Sequence, residues 1–407
     1  MSDPGAKAPL GIDPAEAERV AEIVARLLPP ALVPVFNARF SRSHLLYDEF
    51  VYRLALRVFA ETGLAAAASA WGGVDDIATR AGLDPGRAAV PVSWMLRHLA
   101  SRGALARAGE GGAPQFLAEA ALPDLDAAAV HDEQRRHDPA CLPSYTLAET
   151  AARGYPAVLR GERTGEDILL APARLSLWAG YFSNDNVLYA CNNRVGAAAV
   201  EAWMPPGPAC ILELGGGLAS GAVALFERLA AAGRLGDVRG YRFTELVPAF
   251  LRRGQRLLQE RFPGVPGLEF TALDMNRPFG EQGVPPASAG IVYAVNTLHV
   301  AHDIAFTLGE IRRALAPGGQ LIVSEGIRPR AGDTLYPEFV FNLLETFRSP
   351  RLDPVYRPNG GFLTPGEWRR ALHVEGFANV RVLPDIDRVL DVFPTFSVAG
   401  FAATRPA

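Results

Sequence analysis

The sequence predicts an α/β protein in which a mainly parallel sheet, layered with helices, follows a mainly helical region. Three observations predict it. The apolar run Ile211-Leu212-Glu213-Leu214 enters the turn Gly215-Gly216-Gly217 and passes into a helical pattern from Ala222 to Leu229. Further short apolar segments downstream alternate with helical ones, and the first half of the chain has helical periodicity with only one small hairpin.

In chain order, Asp13-Pro14-Ala15-Glu16 opens a helix with apolar Val20, Ile23, Val24 and Leu27, ended by Pro29-Pro30. A second long helix runs from about Ser43 to Thr62. After Gly63, residues Val74 to Asp84 give a short helix, a turn and the start of another helix through Leu99. Gly103-Ala104-Leu105 and Pro114-Gln115-Phe116-Leu117 then pair as a hairpin across Gly109-Glu110-Gly111-Gly112. The segment Trp178 to Arg194 is unusually aromatic and rich in asparagine for a linker. We expect a lid there, with Tyr181 and Asn186 touching cofactor or substrate, and Asn192, Asn193 and Arg194 starting a helix to Trp203. The alternative is a local turn with aromatic packing.

From Ile211 the strand signals recur at Gly240–Glu245, Leu268–Met275 and Ala289–Asn296. A helix over Ala305–Leu315 is stopped by Ala316-Pro317-Gly318-Gly319 before the strand Gln320–Glu325. One helix is expected over Tyr336–Phe347, with Phe341, Glu345 and Arg348 on one face and Phe339, Asn342 and Thr346 on another; it either lies over the strand tips and lines an acceptor pocket or is an amphipathic helix with Asn342 and Glu345 in solvent. Thr364 caps the next helix with Pro365 at its first position, and segments 380–383 and 397–401 supply the last two strands. The expected domains are 1–130, mainly helical; 131–200, a helical lid or linker; and 201–407, the cofactor domain.

Ligands of open α/β sheets lie beyond the carboxyl ends of the strands, so Gly215, Glu245, Asp274 and Asn296 should converge on one crevice. Glycines allow a sharp turn and close backbone approach, and the following helix offers free N–H donors. Glu245, 28 residues beyond Gly217, would present a carboxylate to ribose hydroxyls. A dinucleotide oxidoreductase competes with this reading, but its glycines are spaced G-x-G-x-x-G, whereas this turn reads Gly-Gly-Gly-x-x-x-Gly.

Composition narrows the function classes. The 407 residues are 49% hydrophobic and 21% charged, enough for two cores, and a net charge of −4 gives no overall pull toward nucleic acid or an anionic membrane. Lys7 is the sole lysine, which removes Schiff-base and P-loop lysine chemistry. Cys141, Cys191 and Cys210 lack metal or disulfide spacing and are expected to be buried, reduced thiols of a cytoplasmic protein. The amino terminus has no secretory pattern, no stretch reaches the roughly 20 apolar residues of a membrane span, and a free-standing chain is expected.

With Glu213-Leu214-Gly215-Gly216-Gly217, Glu245, Leu273-Asp274-Met275, Asn296-Thr297-Leu298-His299 and Leu315-Ala316-Pro317-Gly318-Gly319 in order, the region from Gly207 to Ile327 resembles the class I S-adenosylmethionine-dependent methyltransferases (EC 2.1.1). The resemblance implies a Rossmann-like seven-stranded sheet with S-adenosyl-L-methionine as cofactor. It implies that Gly215 and Gly217 line the methionine part, that Glu245, followed by Leu246, holds the ribose diol, and that Asp274 and Met275 border adenine. Glu213 would accept backbone N–H bonds from the glycine turn, and Asn296 would complete the site.

The first 130 residues resemble the winged-helix-like N-terminal module of small-molecule O-methyltransferases, which implies a homodimer and closure over substrate. A DNA-reading role is disfavoured because Asp75, Asp76 and Asp84 offset Arg80, Arg87, Arg97 and Arg102. Segments 181–186, 298–303 and 341–347 resemble the C-methyltransferase domains of modular polyketide synthases, including chain-initiating ones that use a mononuclear metal. That resemblance implies a carrier-bound or small-molecule acyl acceptor, with Asn342 near it.

A base is expected near the fourth strand tip, where His299 and His302 are the only two of seven histidines. Histidine, with an unperturbed pKa of about 6.5, accepts a proton at neutral pH. His299 is the expected base, with His302 and Glu345 as further catalytic candidates and Asp303 as an orienting carboxylate; the alternative is that one histidine caps the following helix. A divalent metal held by His299 and Glu345 or Asp303 is a further expectation, although H-x-E spacing occurs only at His131-Asp132-Glu133 and His373-Val374-Glu375. The function expected is methylation of carbon in specialised metabolism. Oxygen methylation and a non-methyl reaction on the same cofactor fold are the alternatives.

Overall fold

A computed structural model describes residues 14–109 and 114–407. The tail containing Lys7 and the hairpin loop 110–112 lie outside the described residues. The chain divides into two compact units: described residues through Arg26 with Phe36–Tyr181 and Gly332–Glu345, and Leu27–Val35 with Phe182–Ala331 and Thr346–Ala407. Residues 131–181 thus group with the helical region, and 332–345 return to it from within the cofactor half.

The first unit is built on the 24-residue helix Ala38–Glu61, capped by the Asn37 side chain, which accepts the Phe40 N–H. Its apolar face packs Tyr47 and Phe50 against Tyr145 of helix Leu142–Leu159, with ring centroids 5.0 and 4.5 Å apart. The expected short helix, turn and helix appear as Val74–Arg80 and Pro85–Ser101; the hairpin forms between Ala106–Ala108 and Gln115–Leu117, its first arm beginning three residues later than expected, with Gly103-Ala104-Leu105 in the turn and bend that end the helix. Arg80 spends its guanidinium on carbonyls of Ala70, Trp71 and Asp76, and Arg102 pairs with Asp48 and Glu49. Segment 332–345 is tied into this unit by Trp94 Nε1 donating to Leu335 O (3.2 Å) and the Tyr155 hydroxyl donating to Phe339 O (2.6 Å).

The single helix expected over 336–347 is instead two four-residue helices, Glu338–Phe341 and Glu345–Arg348. Past Asn342, the N–H groups of Leu343 and Leu344 bond three residues back, and that of Glu345 goes to Glu166 Oε1 at 2.7 Å. The backbone of Gly165 also lies so close to Leu343 O that a Cβ there would stand 1.9 Å from it. The shared face of Phe341, Glu345 and Arg348 requires a continuous helix and is lost.

The second unit holds a seven-stranded sheet: β1 Ala209–Leu214, β2 Val238–Thr244, β3 Leu268–Thr271, β4 Ala289–Val295, β5 Leu315–Gly326, β6 Ala378–Leu383 and β7 Val398–Thr404. Their order is β3-β2-β1-β4-β5-β7-β6, parallel except for β7, which pairs antiparallel with both β5 and β6. β1 is nearly continuously buried, as a strand covered on both faces must be. Phe226, Tyr241 and Phe243 are fully enclosed beside it, each such side chain stabilising the fold by roughly 1.5–3 kcal/mol.

Local differences from expectation have local causes. β5 already begins at Leu315 and carries Pro317-Gly318-Gly319 within it, where a separate stop was expected. The helix into Trp203 starts at Val187, with Asn192, Asn193 and Arg194 in its interior. Cys141 and Cys191 are buried, but Cys210, at the amino end of β1, is exposed. The Thr364 cap is as expected, forming a reciprocal box with Glu367.

Candidate active site

β1 and β4 lie side by side, Leu214 opposite Ala294, where the strand order reverses, so their carboxyl ends open one crevice. Gly215 and Gly217 have φ of +59° and +56°, left-handed values that L side chains rarely adopt, and a Cβ on Gly215 would stand 2.2 Å from Thr297 Oγ1. The turn is anchored to β2: Gly216 N–H donates to Thr244 O (2.9 Å) and the Thr244 hydroxyl to Glu213 O (2.6 Å). It leads into helix Ser220–Ala231.

The carboxylate bonded to this turn is that of Glu245, whose Oε2 accepts the Gly217 N–H at 2.8 Å and whose Oε1 accepts Val247 N–H at 2.7 Å. Burial raises the Glu245 carboxyl above its ordinary pKa, against the pull of the Val247, Gly217 and Leu246 amides. The role expected of Glu213 is therefore corrected. Among the described residues no backbone N–H donates to its carboxyl, which is buried beside Tyr241 with Oε2 unpartnered. Burial pushes that carboxyl up to about 8, opposed by Tyr241 and reinforced by Glu245.

The other expected cofactor residues stand around the same strand tips. Leu246 is 56% exposed beside Glu245. Asp274 is half-buried past β3, its Oδ1 accepting Asn276 N–H and its backbone held at both ends by Gln282, while Met275 O accepts the Thr307 hydroxyl. Asn296, just past β4, has φ +50° and is held by its N–H to Ser324 O (2.7 Å) and its Oδ1 to Gly326 N–H (3.2 Å).

His299 lies on the 3-10 turn Leu298–Val300 immediately beyond, 4% exposed, in a three-ring cluster with Phe362 (4.4 Å) and Phe347 (5.9 Å), which also touch each other (5.7 Å). Its Nδ1 is 2.7 Å from Oε2 of the fully buried Glu325. The other oxygen of Glu325 accepts the N–H groups of Thr297 (3.1 Å) and Leu298 (2.7 Å). A carboxylate only accepts, so the hydrogen of this bond is on Nδ1, and in the neutral ring that tautomer leaves Nε2 as the acceptor nitrogen. Sequence reasoning missed Glu325 as the partner. The available signal was an acid at the tip of the strand after His299, which a parallel neighbour places alongside.

Asp303 does not orient His299. Its Oδ1 caps the following helix at Phe306 N–H and its Oδ2 pairs with Arg351 at 2.7 Å; burial raises its pKa, but these contacts outweigh that and hold it below the ordinary value. His302 is exposed, with Nδ1 3.0 Å from Ser349 O. Asn186 is fully buried at the start of helix Val187–Trp203, in a segment where Asn193 Nδ2 donates to Asn184 Oδ1 and Asn184 Nδ2 to Ser220 O, at the first turn after the glycines. Tyr181, Asn342 and Glu345 belong to the first unit. There Tyr181 packs with Trp178 and Phe341, and Asn342 is buried where helix Glu338–Phe341 ends. Among the described residues no three His, Cys, Asp or Glu side chains are grouped as metal ligands, and no helix is long and apolar enough to cross a membrane.

Residues 216–323 match the family model described as a methyltransferase domain. The chain is similar to the polyketide synthase PksR of Bacillus subtilis, 28% identical over 248 residues, which are 59% of this chain and 9% of that protein. It is equally similar to highly reducing polyketide synthase 2 of Gibberella zeae, 28% identical over 245 residues, 58% of this chain and 9% of that one. The chain thus spans less than a tenth of these relatives. In fold it resembles the CurJ carbon methyltransferase, with a TM-score of 0.74 and 21% identity over 97% of this chain and 100% of that one. It also resembles the CMeT domain of the citrinin polyketide synthase (0.70, 16% identity, 96% and 97%) and the trans-methyltransferase CalH in complex with SAH (0.56, 20% identity, 89% and 91%).

Proposed function

We propose that this chain, which carries a methyltransferase domain on the fold of polyketide-synthase carbon methyltransferases, transfers the methyl group of S-adenosylmethionine to carbon of a carrier-bound or small-molecule acyl thioester. The observation that carries this reading is the His299–Glu325 pair at the tip of β4, one strand from the glycine turn.

The crevice suits the cofactor: the turn presents backbone without Cβ atoms at Gly215 and Gly217, and Glu245 offers a buried carboxylate at its edge. Gly215, Gly217, Glu245, Leu246, Asp274, Met275 and Asn296 would hold it. When bound, it supplies an electrophilic methyl carbon for in-line displacement. His299 Nε2 would remove a proton from the acceptor carbon, activated by a neighbouring carbonyl, and the electron pair left behind would form the new carbon–carbon bond as the methyl–sulfur bond breaks, its electron pair leaving on sulfur as the neutral thioether. Glu325 keeps the ring in the tautomer that accepts at Nε2 and stabilises the imidazolium that results. Phe347 and Phe362 exclude water from the ring. Tyr181, Asn186 and Asn342 remain our candidates for acceptor contacts, and His302 and Glu345 for secondary roles. A divalent metal on His299 would need Nε2, the same atom that we assign to proton transfer, and a chelator separates the two readings.

Mass spectrometry after incubation with methyl-labelled S-adenosylmethionine and a β-ketoacyl or malonyl pantetheine thioester tests the proposal. We expect label on the acyl carbon, undiminished by chelator. Label on oxygen, or none despite cofactor binding, contradicts carbon transfer, and loss with chelator contradicts the metal-free base.

A further inference from the structure

The turn that carries His299 is held from both ends by opposite charges. Its leading N–H groups, those of Thr297 and Leu298, donate to Glu325 Oε1. Its trailing carbonyls, those of His299 and Ala301, accept from Arg357, NH2 at 2.6 Å and NH1 at 2.7 Å. One guanidinium edge therefore bridges the carbonyl of His299 in the turn and that of Ala301, its C-cap, a fork that an ammonium has no geometry to reproduce. Arg357 is 1% exposed, and its Nε is buried without a partner among the described residues.

The Arg357 backbone is itself fixed. Its N–H and C=O exchange 2.9 Å bonds with Asp353, whose Oδ1 also accepts Val355 N–H at 2.7 Å, closing a tight loop that delivers the side chain inward. Among the described residues no carboxylate makes a hydrogen bond to this guanidinium. Burial brings it down to about 10, while Glu325 and Asp303 act to raise it. A buried cation kept on carbonyls alone is a costly way to brace a loop. What distinguishes this one is its placement, with a carboxylate at the amino end of the turn and a cation at the carboxyl end, each opposing the peptide dipole there.

We infer that Arg357 is a positioning residue that fixes the Leu298–Val300 turn so that His299 Nδ1 stays on Glu325 and Nε2 faces the acceptor. This rests on the base assigned to His299 above, but its first readout does not need activity. The Nδ1–H bridging to Glu325 should give a low-field proton resonance, identified by its absence in His299→Gln and Glu325→Gln. In Arg357→Met that resonance should broaden or disappear, kcat should fall about 10- to 100-fold, and the Kd for S-adenosylmethionine should change less than about twofold. Arg357→Lys, which keeps the charge without the fork and is the gentler change if the methionine variant does not fold, should show the same effects in smaller degree. A folded variant of either kind with the resonance and kcat of the wild type overturns the inference. Should the wild type transfer no methyl, the resonance alone decides for or against Arg357, and the failure belongs to the proposed function.

Discussion

The residues around the crevice differ in how burial treats their charge. Glu213 is enclosed without a donor for Oε2, and its carboxyl is pushed from an ordinary 4.5 to about 8. Between those values the unfolded chain has released this proton and the folded chain has not. Stability contributed by the raised group is therefore complete below about 4.5 and is lost as pH rises toward 8, by on the order of a few kcal/mol. Glu213→Gln removes the titration at nearly constant shape. Thermal unfolding across this range should show the wild-type Tm falling relative to that of the variant as pH rises, with the gap constant above about pH 8. A gap independent of pH from 5 to 8 would contradict the neutral buried carboxyl.

At the scale of elements, the glycine turn combines backbone strain with close contact, and two of its positions separate the terms. Gly217 needs only its positive φ, since nothing lies within 4 Å of where a Cβ would be, whereas Gly215 adds the close approach of Thr297. Gly217→Ala should cost about 1–2 kcal/mol from conformation alone, and Gly215→Ala more, with the larger loss of cofactor affinity. Equal Tm values for the two variants would show that the Thr297 contact relaxes freely. The turn was legible in the sequence because glycine spacing states a backbone requirement directly. The break after Asn342 was not, because 338–348 keeps helical spacing while the deciding contacts, Gly165 against Leu343 O and Glu166 on the Glu345 N–H, come from a helix more than 170 residues earlier.

For the whole molecule, short apolar runs alternating with helices predict a parallel sheet, as β1 to β5 form, but neither the strand order nor the antiparallel β7 is written in that pattern; Gly215, Glu245, Asp274, Asn296 and His299 follow the carboxyl ends of β1 to β4. The partner of His299 was hidden by register. Asp303 is four residues from it in sequence yet serves as a helix cap, while Glu325 is 26 residues away and reaches it across the parallel β4–β5 pairing, in which Val295 lies opposite Ser324. Domain limits were hidden for a similar reason, since 332–345 folds back into the helical unit through side-chain bonds to Trp94 and Tyr155 that no local pattern encodes.

The central claim is that carbon methylation depends on proton removal by His299 within the Glu325 pair. Single-turnover transfer of labelled methyl to a β-ketoacyl pantetheine thioester, compared for the wild type, His299→Gln and Glu325→Gln at matched cofactor occupancy, tests it most directly. The account predicts label on the acyl carbon for the wild type, a loss of about 10²–10⁴-fold for His299→Gln, and a smaller loss for Glu325→Gln, with S-adenosylmethionine affinity unchanged. Transfer by His299→Gln at the wild-type rate would contradict it.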